Sequence, residues 1–229
     1  MRIAQISDLA QWEQFIQSQP YTLFTQSNNY AEFHRSMGEQ GWIWGAFNDH
    51  NELLGGALVI SVHARRGNFL FIPYGPVWAE NINVTTQIEA NFALLSEIKK
   101  HGCKYGYDFL RVSPFIADSP EAKKRFKDDR FQSAPMHMLA EHTWLLDVRP
   151  AEETLLANME KNHRNLVRRC QKEGVTVTFS SNDEAIADFN RLHDITAARH
   201  KFHRFSADYI RREFEAFAPA GQAVIGRAY

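Results

Sequence analysis

Between Lys161 and Lys172 the sequence KNHRNLVRRCQK sets Lys161, Arg164, Arg168 and Lys172 at spacings of three and four residues. On a helix drawn from Leu155 to Lys172, at about 100° per residue, these four cations share one side, with Leu155, Met159, Leu166 and Cys170 opposite. Like charges at those spacings repel, and the row contains no acid, so helix stability alone does not favour it. The chemistry that would favour it is recognition of a phosphate or an RNA backbone. A solvated basic face is the plainer reading, and the helix dipole accounts for Arg169 and Lys172 near the C-terminal end without any ligand. Arg164 and Arg168 are less easily explained by helix physics.

Other residues carry weaker signals. Asp108, just ahead of the apolar run at Phe109, could serve as a general base or orienting carboxylate, or as a turn residue where the strand begins. His193, His200 and His203 stand seven and three residues apart, a spacing that could gather imidazoles for a metal. No carboxylate or cysteine completes that set, and the neighbouring Arg199, Lys201 and Arg204 make the run read as a basic loop or an RNA-backbone contact. Gln26 and Ser27 read as caps of a following helix, and Tyr30 could face either the core or a ligand. A Gly-rich cradle for an acyl-CoA pyrophosphate is not evident, since Gly38-Glu39-Gln40-Gly41 has no strand before it. Cys103 and Cys170 lack a CxxC partner, which argues against a zinc ribbon or a disulfide framework. Neither a metal nor a cofactor is expected.

The elements that must position these groups follow from hydrophobic periodicity. Helices are expected at Asp8–Ser18, with Asp8 as N-cap, and at Asn29–Met37, ahead of Gly38. Strands at Trp42–Phe47, Glu52–Arg65 and Phe69–Ile72, separated by turn signals at Asn48-Asp49 and Arg66-Gly67-Asn68, form an antiparallel meander. A helix at Gln87–His101 packs on that sheet, and Phe109–Val112 returns as a strand. Thr143–Val148 reads as a further strand, Pro150 opens one long helical region, and a domain boundary falls near Asp147. Beyond Gly174 the expected order is strand Val175–Phe179, helix from Asn182 or Asp183 to His200, helix Ser206–Phe217 and strand Gln222–Ala228. The last apolar strand pattern runs out without a cap or polar tail, which suggests a truncated gene product.

A chain of 229 residues, 44% hydrophobic and 13% aromatic, can build a substantial core. Its net charge of -1 means that attraction for an anion must come from local clusters such as the basic row. The N-terminal residues show no signal-peptide core, and no stretch is apolar enough for a membrane span, so the expectation is a cytoplasmic protein.

Several segments, in order, resemble the Fem family. Met159–Val175 resembles its arginine-rich helix ending in a KxGV-like turn. Phe24-Thr25-Gln26-Ser27 with Tyr30 resembles the family's FxQS opening, and Leu54-Gly55-Gly56-Ala57 its strand of small residues. Ile72-Pro73-Tyr74-Gly75-Pro76-Val77 is similar to its IPxGPV element, and Arg111–Pro114 to its RxDP stretch. The resemblance implies an α/β (α+β) fold of two tandem GNAT-like domains, each a mixed, mainly antiparallel sheet flanked by helices. Residues 1–141 would form the first, and 142–229 the front part of an incomplete second.

It also implies transfer of an amino acid from aminoacyl-tRNA to the peptide of a peptidoglycan precursor, nucleotide-linked or lipid-linked. With a lipid-linked precursor the protein would work peripherally at the inner face of the membrane. Carried over by position, Arg164 matches the arginine that pairs with the precursor's diphosphate, and Arg168 would reinforce it. Tyr74 stands where an arginine is common and could stack on sugar or peptide. His34 stands where the family often has a phosphate-binding lysine. Those two departures leave room for a GNAT-like N-acyltransferase acting on a small amine with a non-tRNA donor, and the abrupt end at Tyr229 for a binding remnant without catalysis.

Overall fold

The structure, a computed structural model, describes residues 1–20, 23–65, 67–116, 118–140 and 142–229. Arg66 of the expected turn and Glu141 at the expected domain limit lie outside the described residues. The chain divides into two compact units, Met1–Leu139 with Glu215–Phe217, and Ala140–Phe214 with Ala218–Tyr229. Among the described residues no helix is long and apolar enough to cross a membrane.

The first unit runs β1 (Arg2–Gln5), α1 (Leu9–Gln17), α2 (Asn28–Ser36), β2 (Gly41–Phe47), β3 (Leu53–Ala64), β4 (Gly67–Ile72), β5 (Val77–Trp78), α3 (Val84–Lys104), β6 (Phe109–Val112) and α4 (Pro120–Asp128). The sheet order is β1-β2-β3-β4-β6, with β5 also on β3. Neighbours are antiparallel except β4 and β6, which pair in parallel from Phe69↔Phe109 to Ile72↔Val112 after the crossover through α3. The expected meander is therefore present. Strand β1 and the short β5 escape the periodicity because four and two residues carry too little alternation to register.

β3 explains why its sequence is apolar on nearly every residue: both of its faces are covered. Ala57 and Val59 join Leu70, Ile72, Trp78 and the α3 residues Ala90, Leu94, Leu95 and Ile98 in one cluster. On the opposite face, a Cβ at Gly56 would lie 3.0 Å from the Trp12 ring of α1. Trp12, Phe33, Leu58 and Ile60 are fully buried, and each such side chain contributes about 1.5–3 kcal/mol by leaving water.

The helices begin where their caps dictate. The Asp8 carboxylate accepts from Ala10 and Gln11 N–H, Ser27 Oγ from Tyr30 N–H and Asn83 Oδ1 from Thr86 N–H. The Asn83 cap starts α3 three residues before the expected Gln87. α4 has a serine N-cap at Ser119 with Pro120 in the first turn, and none of its residues is buried, so an apolar stripe could not announce it.

The second unit contains α5 (Glu152–Asn158), α6 (Lys161–Lys172), β7 (Val177–Ser180), α7 (Asp183–His200), α8 (Ala207–Phe217) and β8 (Ile225–Ala228). β7 and β8 form an antiparallel pair from Val177↔Ala228 to Ser180↔Ile225. Arg227 on β8 ties the pair to α7 through Asp188 at 2.9 Å and Glu184 at 3.6 Å. Arg204, beyond α7, returns to Asp194 at 2.6 Å and also donates to Asn190.

Two expectations fail here. Thr143–Val148 is not a strand: it joins no ladder among the described residues, and Trp144 is 89% exposed. Apolar alternation states what a segment could bury, not that a partner is there. The long helix opened by Pro150 is two helices, because Met159 and Glu160 both take extended backbone angles. No proline or glycine marks that break, and it separates Leu155 and Met159 from the helical face assigned to Leu166 and Cys170.

Candidate functional site

In the first unit the quoted segments converge on the loop between β4 and β5. β3 is shared along one edge, with β4 pairing from Ile60 to Ala64 and β5 at Gly55 and Gly56. Between them, the Leu58 N–H reaches no strand and donates instead to Gln26 Oε1 at 2.7 Å. The other end of the same amide donates from Nε2 to the Pro73 carbonyl at 2.5 Å, and the Gln26 main-chain carbonyl accepts from Trp12 Nε1 at 2.7 Å. Gln26 is fully buried. The expectation that it caps α2 is thus corrected: Ser27 supplies the cap, and Gln26 fills a gap in the sheet.

Tyr74 sits in that loop at φ 47°, a left-handed conformation costly for a residue with a side chain. The surroundings hold it there: Pro73 is bound to Gln26, and Gly75 N–H donates to the Ser113 carbonyl at 3.0 Å. Ser113 N–H in turn donates to the Ile72 carbonyl at 3.0 Å, extending the parallel pairing past β6. Arg111 of the same stretch donates to the Met136 carbonyl.

Tyr30 and His34, one turn apart on α2, are brought together with ring centroids 4.6 Å apart and edge-on. Tyr30 also meets Phe24 at 5.8 Å, so both rings lie beside the turn that carries Gln26. His34 Nδ1 lies 2.5 Å from Glu39 Oε2, a partner that the sequence reading did not identify. Asp108 is elsewhere in the sheet: its Oδ2 accepts from Asn68 N–H at 2.8 Å and its own N–H donates to the Asn68 carbonyl at 2.7 Å. That carboxylate locks the starts of β4 and β6 together.

In the second unit α6 carries the basic row. No residue of α6 is buried. Lys161, Arg168 and Lys172 have no hydrogen-bond or ion-pair partner among the described residues, whereas Arg169 is paired with Glu173 at 2.7 Å. Arg164 Nη1 donates to the Ala157 carbonyl at 2.6 Å, satisfying an orphan acceptor at the end of α5 across the helix break. A guanidinium has five N–H donors, so this bond leaves most of the fork free for an anion.

Two further places carry less. A groove of about 430 Å³ is lined by Phe92, Lys99, Arg125, Asp129 and Phe131, but its charges are spent internally. Lys99 lies 3.8 Å above the Phe131 ring and donates to the Asp129 carbonyl, and Arg125 pairs with Asp129 at 3.5 Å. Burial pushes the Lys99 ammonium below its ordinary value, and the Asp129 charge offsets part of that. His193 packs between Phe189 and Phe202, and His200 accepts from Arg199. Among the described residues no three His, Cys, Asp or Glu side chains are placed to hold a metal.

Comparison with solved structures places this geometry. The crystal structure of FemX superposes with a TM-score of 0.80 at 20% identity, covering 100% of this chain and 57% of that one. The chain thus spans little more than half the length of FemX. The likeness shows an α/β, GNAT-like mixed sheet flanked by helices, followed by a second, small sheet. A probable acetyltransferase aligns at TM-score 0.42 and 18% identity, covering 64% of this chain and 99% of that one. A ribosomal-protein-alanine N-acetyltransferase from Brucella melitensis biovar Abortus 2308 aligns at 0.42 and 10%, covering 62% and 100%. Likeness at that level carries no argument. No curated protein sequence gives a significant match. The model of the FemAB family matches residues 8–127 and 130–226, nearly the whole sequence. The chain therefore belongs to the FemAB family.

Proposed function

We propose that this chain takes part in aminoacyl transfer from aminoacyl-tRNA to the peptide of a peptidoglycan precursor, with Arg164 and Arg168 binding the precursor's diphosphate. The observation that carries the reading is the basic row of α6, where Lys161, Arg168 and Lys172 stand without partners among the described residues on a helix with no buried residue. Unpaired cations in register cost helix stability and become favourable when an anion lies across them. Membership of the FemAB family supports the choice of reaction and of both substrates. Within the first unit, Tyr74, Tyr30 and His34 are proposed as further substrate contacts, with Tyr74 stacking on sugar or peptide. The domain reading proposed with it is a first GNAT-like domain over residues 1–141 and a second from 142 onward.

The reaction asks little of side-chain chemistry. An amine of the precursor attacks the ester carbonyl, a C–N bond forms, the C–O bond to the tRNA ribose breaks, and the amine's proton passes to the departing hydroxyl. Placement of the amine and stabilisation of the oxyanion supply most of the acceleration. Transfer of a labelled amino acid from charged tRNA to a nucleotide-linked or lipid-linked muropeptide tests the proposal. Arg164→Ala and Arg168→Ala should each raise the precursor KM by about tenfold or more, the value of one charge-assisted hydrogen bond. Absence of transfer with every charged tRNA and both precursor forms would sink it, and dependence on a CoA thioester would replace it with the small-amine reading.

A further inference from the structure

The end of α2 closes on an unusual pair. Gly38, at φ 88°, lets its own N–H donate to the Arg35 carbonyl at 3.0 Å and the Glu39 N–H donate to the His34 carbonyl at 3.1 Å. This double bond pattern is a Schellman cap, in which the residues standing where His34 and Glu39 stand are usually an apolar contact. Here they are an imidazole and a carboxylate, 2.5 Å apart. An ionised carboxylate only accepts, so the hydrogen between them belongs to Nδ1, and in the neutral form of the ring Nε2 is a bare acceptor. Tyr30 and Phe33, with ring centroids 4.6 and 4.8 Å away, fix the plane of the ring.

Nε2 meets no donor among the described residues and is shut off from solvent, with His34 only 9% exposed. A buried acceptor without a donor is disfavoured, and a donor from outside removes that penalty. The side chains of His34 and Glu39 keep 11% and 22% of their surface open, so the pair lies close to the surface, with Nε2 itself under cover. Charge points the same way. With a neutral imidazole the pair is singly negative and with an imidazolium it is neutral, so it supplies no net positive charge to attract a phosphate.

We propose that His34, oriented by Glu39, is a specificity-determining residue whose Nε2 accepts a hydrogen bond from an N–H or O–H group of the bound substrate, and is not a phosphate contact. The choice of substrate rests on the muropeptide reading above. The tautomer and the acceptor role do not.

Long-range 1H–15N correlation of the imidazoles in the uniformly labelled full chain tests it without a variant. In the free protein His34 should read as the Nδ1–H tautomer with an unprotonated Nε2. N-acetylmuramoyl dipeptide, which offers hydroxyl and amide donors but no diphosphate, should shift the Nε2 resonance, and inorganic pyrophosphate should leave it in place. His34→Phe should weaken the dipeptide about tenfold, the value of one hydrogen bond, and leave pyrophosphate affinity unchanged. An Nε2–H tautomer in the free chain, a shift with pyrophosphate, or no shift with the dipeptide each overturns the proposal. A chain that binds pyrophosphate but not the dipeptide keeps the diphosphate site and loses this one. A chain whose Nε2 responds to the dipeptide but that transfers no amino acid keeps this one and loses the reaction.

Discussion

Gln26 stands 32 residues from Leu58 in sequence, yet its side-chain carbonyl accepts the Leu58 N–H at 2.7 Å in the gap between β4 and β5 along one edge of β3. One amide thereby joins a central strand to the loop that carries Tyr74, since its nitrogen donates to the Pro73 carbonyl. Removing it leaves a buried donor and a buried acceptor unmet, each costing about 1–3 kcal/mol. Gln26→Ala should therefore lower unfolding free energy by about 3–5 kcal/mol, read as a fall in the urea midpoint with an unchanged slope. A loss below about 1 kcal/mol would show that water or a neighbour replaces both bonds.

Gly56 makes a sharper steric case. A Cβ there would sit 2.2 Å from the Trp44 carbonyl oxygen on β2, a backbone atom that cannot rotate away. Gly56→Ala should cost about 3 kcal/mol or prevent folding, measured as the drop in Tm by circular dichroism. A Tm equal to that of the parent would mean that β2 and β3 lie farther apart than described.

His101 gives the first unit an acid-sensitive element. It lies against Trp42 and Trp44 of β2 and Tyr105, and burial first, the charge of Lys104 second, push its pKa below the ordinary 6.5. The unfolded chain then takes up a proton at this residue more readily than the folded one as pH falls through 6.5, so stability declines on acidification and the loss is complete below the folded value. His101→Gln should flatten the fall in unfolding free energy between about pH 7 and about pH 5 relative to the parent. Identical slopes would remove His101 as the cause.

Much of this organisation is readable in the residues, for identifiable reasons. β2, β3 and β4 carry many aromatic or β-branched residues between Asn-Asp and Gly-Asn turn signals, and the Asp8, Ser27 and Ser206 caps declare their helices. The basic row survives the loss of the longer helix because all four cations lie within α6. What escapes depends on contacts distant in sequence or on packing. Gln26 reads as a cap because its bonds to Leu58 and Pro73 exist only once the sheet is formed. The pairing of His34 with Glu39 escaped although its signal is local, an acid five residues after a histidine with a glycine just before it at the end of a helix. Asp108 kept two readings in sequence, and its bond to Asn68 N–H now gives it work in holding β4 to β6.

Arg168 separates charge from architecture. It is exposed and makes no contact with an acid among the described residues, so Arg168→Ala should leave the urea midpoint where it was or raise it slightly by relieving repulsion within the row. Pyrophosphate binding, followed by calorimetry at low and high salt, should weaken in the variant and lose part of its salt dependence. Unchanged affinity at both salt levels would assign the row to solvent.

The corner at Met159 and Glu160 gives Arg164 two claims on its attention. Its guanidinium already latches the Ala157 carbonyl, closing the end of α5 against α6. Any anion drawn to that guanidinium must either share it or release the latch. If release costs free energy, anion binding at Arg164 and closure of the latch are linked: each weakens the other by the same factor. Two residues at ψ 150° and 145°, with neither glycine nor proline to announce them, thus set how far the latch at Arg164 must give before an anion takes its place.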